Sequence, residues 1–163
     1  EAMRAALGGG GGWRARQLWA LLDARCARPE YQRAPCAGRR VVVVGAGPCG
    51  LRAAIELLLL GAQVTVLDRR TEFNRINQLH LWHWCGEDLK GLGARVLEPP
   101  PRDFGANPDL LHIGISDLQK LLLKAALLLG AGVLLGVDFV RSDYDAGRGG
   151  WRAVLRPTRA LAR

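Results

Sequence analysis

Apolar and polar residues fall into blocks whose spacing changes along the chain. Residues 13–27 (WRARQLWALLDARCA) place Trp13, Leu18, Trp19, Leu21 and Leu22 at helical intervals, with Trp19 expected to dock the helix onto the core. Pro29 and Pro35 bound the loop that follows. Val41–Val44 is a continuous apolar run and predicts a strand. A helical pattern comes next, closed by Gly61, and then a β-rich run ends at Asp68. Residues 71–80 read as a polar loop. A short helix is predicted over Glu87–Leu92, stopped by Gly93, and 98–109 (EPPPRDFGANPD) as a turn-rich loop.

Ser116-x-x-Gln119 has the capping-box form, in which both side chains satisfy free N–H groups at a helix start. Leu118, Leu121, Leu122, Ala125, Leu128 and Leu129 continue that helix, and Gly130 closes it. Val133–Leu135 and Val137–Val140 read as strand, Asp145–Gly150 as a hairpin turn, and Trp151–Leu155 as its return. The order predicts an α/β fold: a Rossmann-like βαβ domain with a parallel sheet and an antiparallel hairpin appendage. A helical segment with a glycine-rich flexible stretch (1–37) precedes the nucleotide-binding domain (38–163).

The chemistry concentrates at the first strand–helix junction, Gly45-x-Gly47-x-x-Gly50. Gly45 allows a tight turn, Gly47 lets the backbone approach phosphates, and Gly50 lets the helix pack close to the strand. The helix start offers N–H groups and a positive dipole end to a pyrophosphate. Asp68, 18 residues after Gly50, stands where a carboxylate accepts from ribose hydroxyls. The plain alternative is a ligand-free glycine turn, and strand, helix and acid in register argue against it. The motif alone does not separate FAD from NAD(P).

Composition bounds the rest. The chain has 163 residues, 49% hydrophobic and 23% charged, which suits a globular core. Formal net charge is +8, and 20 of the 23 basic residues are arginine, which favours an acidic partner. They are scattered, so nucleic acid is not expected. Cys26, Cys36, Cys49 and Cys85 form no CxxC and no zinc spacing, so reduced thiols, no metal and a cytoplasmic setting are expected. Apolar runs such as Leu57–Leu60 are too short for membrane insertion. His80 and His112 are expected to be hydrogen-bonded structural residues. No catalytic pair can be read from spacing.

GAGPCGLRAAIELLLLGAQVTVLDRR, then FNRINQLHLW, then HIGISDLQKLLLKAALLLGAGVLLGVDF, resembles the MICAL flavoprotein monooxygenases. The resemblance covers most of 13–156 and implies the N-terminal part of an FAD domain in a longer protein. It implies that Gly45, Gly47, Cys49 and Gly50 line the FAD pyrophosphate. It matches Asp68, Arg69 and Arg70 to a Glu-Lys-Arg set at the adenosine end. It matches Arg75, Ile76 and Asn77 to an Arg-His-Asn set along the cofactor, and Phe139 to a phenylalanine near the adenine. The departures are Ile76 for histidine, His83-Trp84 for Pro-Phe, and Ser116-Asp117 for Arg-Gln.

The resemblance implies an FAD-dependent, NADPH-consuming monooxygenase that oxidises methionines of F-actin and promotes filament disassembly, with H2O2 as a side product. It also implies a cytoskeletal location, with downstream modules outside this chain. A sulfoxide in place of a thioether disrupts a packed interface. The alternatives are a truncated or degenerate FAD-binding domain without turnover, and an FAD hydroxylase of a small aromatic. A plain NAD(P)-dependent dehydrogenase is the weakest.

Overall fold

A computed structural model describes residues 12–95, 97 and 110–158. The glycine-rich stretch before residue 12 and the loop expected at 98–109 fall outside the described residues. Helix α1 (Trp13–Cys26) and the one-turn α2 (Pro29–Gln32) lead into β1 (Arg40–Val44). Then come α3 (Pro48–Leu59), β2 (Gln63–Asp68), β3 (Gln78–Trp82), α4 (His83–Lys90) and β4 (Leu110–Gly114). Helix α5 (Ile115–Leu128), β5 (Gly132–Leu135), β6 (Val137–Asp145) and β7 (Gly150–Pro157) follow.

The core sheet is parallel, in the order β1-β2-β5. Val43 pairs with Val66 and Val44 with Leu67, while Leu67 and Asp68 pair with Leu134 and Leu135. Helix α3 begins with Pro48, whose missing N–H costs nothing at a helix start. It ends at a positive-φ glycine, Gly61 (φ 93°), with the Ala62 N–H donating to Leu57 O. Its buried residues, Leu51, Ala54, Ile55 and Leu59, form one stripe. That stripe, with Leu118, Leu122, Ala125 and Ala126 of α5 and Val64 and Val66 of β2, makes the core. Leu22 of α1 and Tyr31 of α2 join the same cluster, and Trp19 packs against it as expected. Trp13 and Leu21 face outward, at 53% and 41% exposure.

The parallel sheet and the terminal hairpin match the sequence reading, and several local elements differ from it. The loop bounded by Pro29 and Pro35 contains a helical turn, α2, with Pro29 at its start. The expected loop 71–80 ends in β3, which pairs antiparallel with β4 so that His80 faces His112. The two rings meet edge to face at 4.3 Å, and the buried His112 Nε2 has no hydrogen-bond partner. The helix expected over Glu87–Leu92 starts four residues earlier, at His83, directly after β3.

Ser116 and Gln119 do not form a capping box. Helix α5 is capped by Gly114 with no side-chain bond. The Ser116 hydroxyl donates to Phe73 O (2.7 Å), and the Gln119 amide donates to Ala46 O (2.9 Å). Tertiary carbonyls that need donors draw both side chains away from their own helix end.

Candidate functional site

Chain direction brings the glycine loop to the C-terminal end of β1, between β2 and α3. The Gly45 N–H continues the ladder to Leu67 O at 2.7 Å. Gly45 adopts φ 106°, which only glycine takes without strain. A Cβ on Gly50 would lie 2.0 Å from Gly45 O, so α3 touches the strand exit at van der Waals distance only because residue 50 has no side chain. A Cβ on Gly47 would meet nothing within 4 Å, so that side of the loop is open. Gly47 caps α3 with no side-chain bond, leaving the first-turn N–H groups of Cys49 and Gly50 without intrahelical acceptors.

A cavity of about 270 Å³ opens beside the loop, lined by Gly45, Asp68, Arg69, Arg70 and Phe139 together with Val44, Leu67, Val137 and Asp138. Five of the residues singled out from sequence therefore meet in one place. Phe139 is 40% exposed there, a free aromatic face. Arg69 lies at the rim, 3.6 Å from Asp138, a residue the sequence reading did not single out. Gly47, Cys49 and Gly50 stand at the adjoining helix start, and the Cys49 thiol is free and exposed. Arg75, Ile76 and Asn77 lie in the exposed segment between β2 and β3, outside that cavity; Ile76 is 95% exposed. The Asn77 carbonyl accepts from the Ile115 N–H (2.9 Å), which ties this segment to the start of α5.

Asp68 is 9% exposed and already engaged. Its Oδ2 accepts from the Ala46 N–H at 2.7 Å and its Oδ1 from the Arg70 N–H at 2.8 Å. Each carboxylate oxygen keeps a further acceptor site, so ribose hydroxyls can still be met. Asp68 thus joins the glycine loop to the strand end as well as facing the cavity.

A polar network on the far side of α3 was not legible from sequence. Asp88 of α4 accepts from Arg25 Nη1 of α1 (2.7 Å) and from Arg52 Nε of α3 (2.9 Å). Arg52 also reaches Glu56 (2.8 Å), which accepts from the Tyr31 hydroxyl (2.9 Å). Burial alone would raise the Asp88 carboxyl, but hydrogen bonds and charge from Arg52 and Arg25 hold it below its usual value. Burial, and then the bond to Glu56, push the Tyr31 hydroxyl up. Among the described residues, no group of three or more His, Cys, Asp or Glu could hold a metal, and no helix is long and apolar enough to cross a membrane.

Comparison with known proteins fits this geometry. A profile of the pyridine nucleotide-disulphide oxidoreductases matches residues 20–131. The chain is 47% identical over 150 residues to the [F-actin]-monooxygenase MICAL1 of Bos taurus, covering 90% of this chain and 14% of that protein. It is 48% identical over 147 residues to the [F-actin]-monooxygenase Mical of Drosophila melanogaster, covering 89% of this chain and 3% of that protein. The chain therefore spans a small part of the relatives it matches. Among solved structures, the fold resembles 2-methyl-3-hydroxypyridine-5-carboxylic acid oxygenase (TM-score 0.53, 24% identity, 71% of this chain and 37% of that one). It also resembles Thermovibrio ammonificans THI4 (TM-score 0.55, 20% identity, 82% and 52%).

Proposed function

Because the chain belongs to the pyridine nucleotide-disulphide oxidoreductase family and is related to the MICAL F-actin monooxygenases, we propose that it binds FAD as the nucleotide-binding part of a monooxygenase. In this reading the nucleotide-binding unit is the division 38–163, and the segment 1–37, which carries α1 and α2, precedes it. The observation that carries this reading is the glycine loop itself. Gly50 is closed against Gly45 O, Gly47 opens outward, and the uncapped start of α3 adjoins a cavity bearing Asp68, Arg70 and Phe139.

These residues fit the cofactor. Gly47 and the N–H groups of Cys49 and Gly50 face the pyrophosphate, the anion a helix start favours. Asp68 would receive the ribose hydroxyls, and Phe139 would pack on the adenine. Arg69 and Arg70 offset phosphate charge, with Arg75, Ile76 and Asn77 further along the cofactor. FAD bound there would supply the redox chemistry, with NADPH as the reductant and O2 as the oxidant. The chain's own contribution is binding, orientation and exclusion of water on this side of the cofactor. The substrate is methionine in F-actin, as the relatives' names support, with filament disassembly as the consequence and H2O2 as a side product. The setting is cytoplasmic and cytoskeletal.

One observation favours a second reading, a domain that keeps the fold without turnover. Ile76 is 95% exposed at a position expected to lie along the cofactor, and an aliphatic side chain makes no polar contact there. The visible absorption spectrum of the purified chain tests the proposal. Oxidised-flavin bands, released as FAD on denaturation, together with NADPH oxidation that rises with F-actin, support it. The same measurements are made on the longer protein that carries this domain: no flavin in either after incubation with FAD refutes the proposal, and flavin in the longer protein without NADPH oxidation selects the second reading.

A further inference from the structure

Gln119 is one of three polar or charged residues buried among the described ones, with Arg25 and Asp68, and it is 4% exposed. It lies on the apolar stripe of α5, between Leu118 and Leu122. Its Nε2 donates to Ala46 O at 2.9 Å, across 73 residues of sequence. Asp68 Oδ2 takes the Ala46 N–H at 2.7 Å. Ala46 is itself 0% exposed. Both polar groups of one residue in the glycine loop are thus held by side chains, one from β2 and one from α5.

A peptide unit is planar and trans, so its C=O and the next N–H point in opposite directions. The bond from Gln119 to Ala46 O therefore sets the direction of the Gly47 N–H, away from α5. That N–H has no acceptor among the described residues. The position where a Gly47 side chain would stand is open. A rotated Ala46–Gly47 peptide would turn a carbonyl oxygen outward instead, and an oxygen repels an anion. The Gln119 amide is the side-chain donor that holds this carbonyl against such a rotation.

We propose that Gln119 is a positioning residue of the phosphate-binding loop: it clamps the Ala46–Gly47 peptide so that the Gly47 N–H faces the pyrophosphate. The ligand half of this inference rests on the FAD reading above, and the clamp itself does not. Asp68 is the matching anchor on the opposite side of Ala46 and the titratable group that reaches the loop.

The test uses the purified chain, with FAD titrated by fluorescence and backbone amides followed by NMR without ligand. Gln119→Met keeps the shape and removes the donor. It is expected to weaken FAD binding by about tenfold or more, a factor that corresponds to about 1.4 kcal/mol. Without ligand, it should shift the Ala46 and Gly47 amide signals and leave those of Val41–Val43 in place. Gln119→Glu is the diagnostic partner, because a protonated carboxyl donates and a carboxylate does not. Its FAD affinity should recover towards wild type as pH falls from 8 to 5, whereas the methionine variant should not recover. Wild-type affinity in Gln119→Met overturns the clamp. So does loss of the β1 signals together with Ala46, which would mark general loss of core packing. If wild type takes up no FAD yet Gln119→Met moves the Gly47 signal alone, the FAD reading fails and the clamp stands; an unmoved Gly47 signal overturns the clamp.

Discussion

Asp88→Ala should be strongly destabilising although Asp88 lies outside the apolar core. Asp88 joins three helices, accepting from Arg25 of α1 and Arg52 of α3 while standing on α4. Arg25 is 4% exposed and its Nε already lacks a partner. Without the carboxylate, the bond left to this buried guanidinium among the described residues is the one to the Asp88 backbone oxygen (3.0 Å). Losing a charge-assisted bond to a buried cation costs about 2–3 kcal/mol. The Arg52 contact is one-third exposed at both ends and adds under about 1 kcal/mol. The expected loss is about 3 kcal/mol at pH 7, or roughly 6–12 °C in the melting temperature of a chain this size.

Urea and thermal melts across pH check this prediction and its sign. The Asp88 carboxyl titrates below its usual value in the folded chain. The stability it contributes is therefore fully present above the unfolded value, near 4, and is lost as pH falls through the folded one. The gap between wild type and Asp88→Ala should be widest at neutral pH and narrow in acid. A double change, Arg25→Leu with Asp88→Leu, removes both charges and should recover much of the loss. A gap under about 1 kcal/mol at pH 7, or one that stays constant into acid, would refute the reasoning.

Other substitutions separate folding from binding. Gly47→Val adds a side chain where nothing lies within 4 Å, so the melting temperature should stay within about 2 °C while FAD uptake, read by absorbance, is abolished. Retained flavin would sink the loop assignment. Gly50→Ala instead drives a Cβ against Gly45 O and should cost about 3 kcal/mol or more by urea melt, since neither backbone can move freely. Tyr31→Phe removes the bond to Glu56 (2.9 Å) and should cost about 1 kcal/mol, with no change in FAD affinity.

The βαβ unit was legible because local rules agreed. Val41–Val44, the glycine spacing, Gly61 at the helix end and Asp68 all point to one arrangement. The β3–β4 pair was not, since Gln78–Trp82 finds its partner 28 to 36 residues later at Leu110–Gly114, and its flanking polar residues read as loop. The capping-box reading of Ser116 and Gln119 applied a local rule where distant carbonyls, Phe73 O and Ala46 O, were the stronger claimants. The signal for Gln119 was present all the same: a lone amide on the apolar stripe of α5 has to find a buried partner. Arg25 and Asp88 carried no such signal, for charged residues 63 apart are ordinary surface residues until the fold joins them.

These dispersed contacts have a common object. A helix that is to receive an anion at its N-terminus cannot use those N–H groups for a side-chain cap, and α3 has none. Its position must then be fixed from elsewhere. Gly50 fixes its distance from β1, Gln119 and Asp68 fix the loop before it, and Arg52 ties its first turns to Asp88. The anchors are far apart in sequence because the groups nearest the site must stay free.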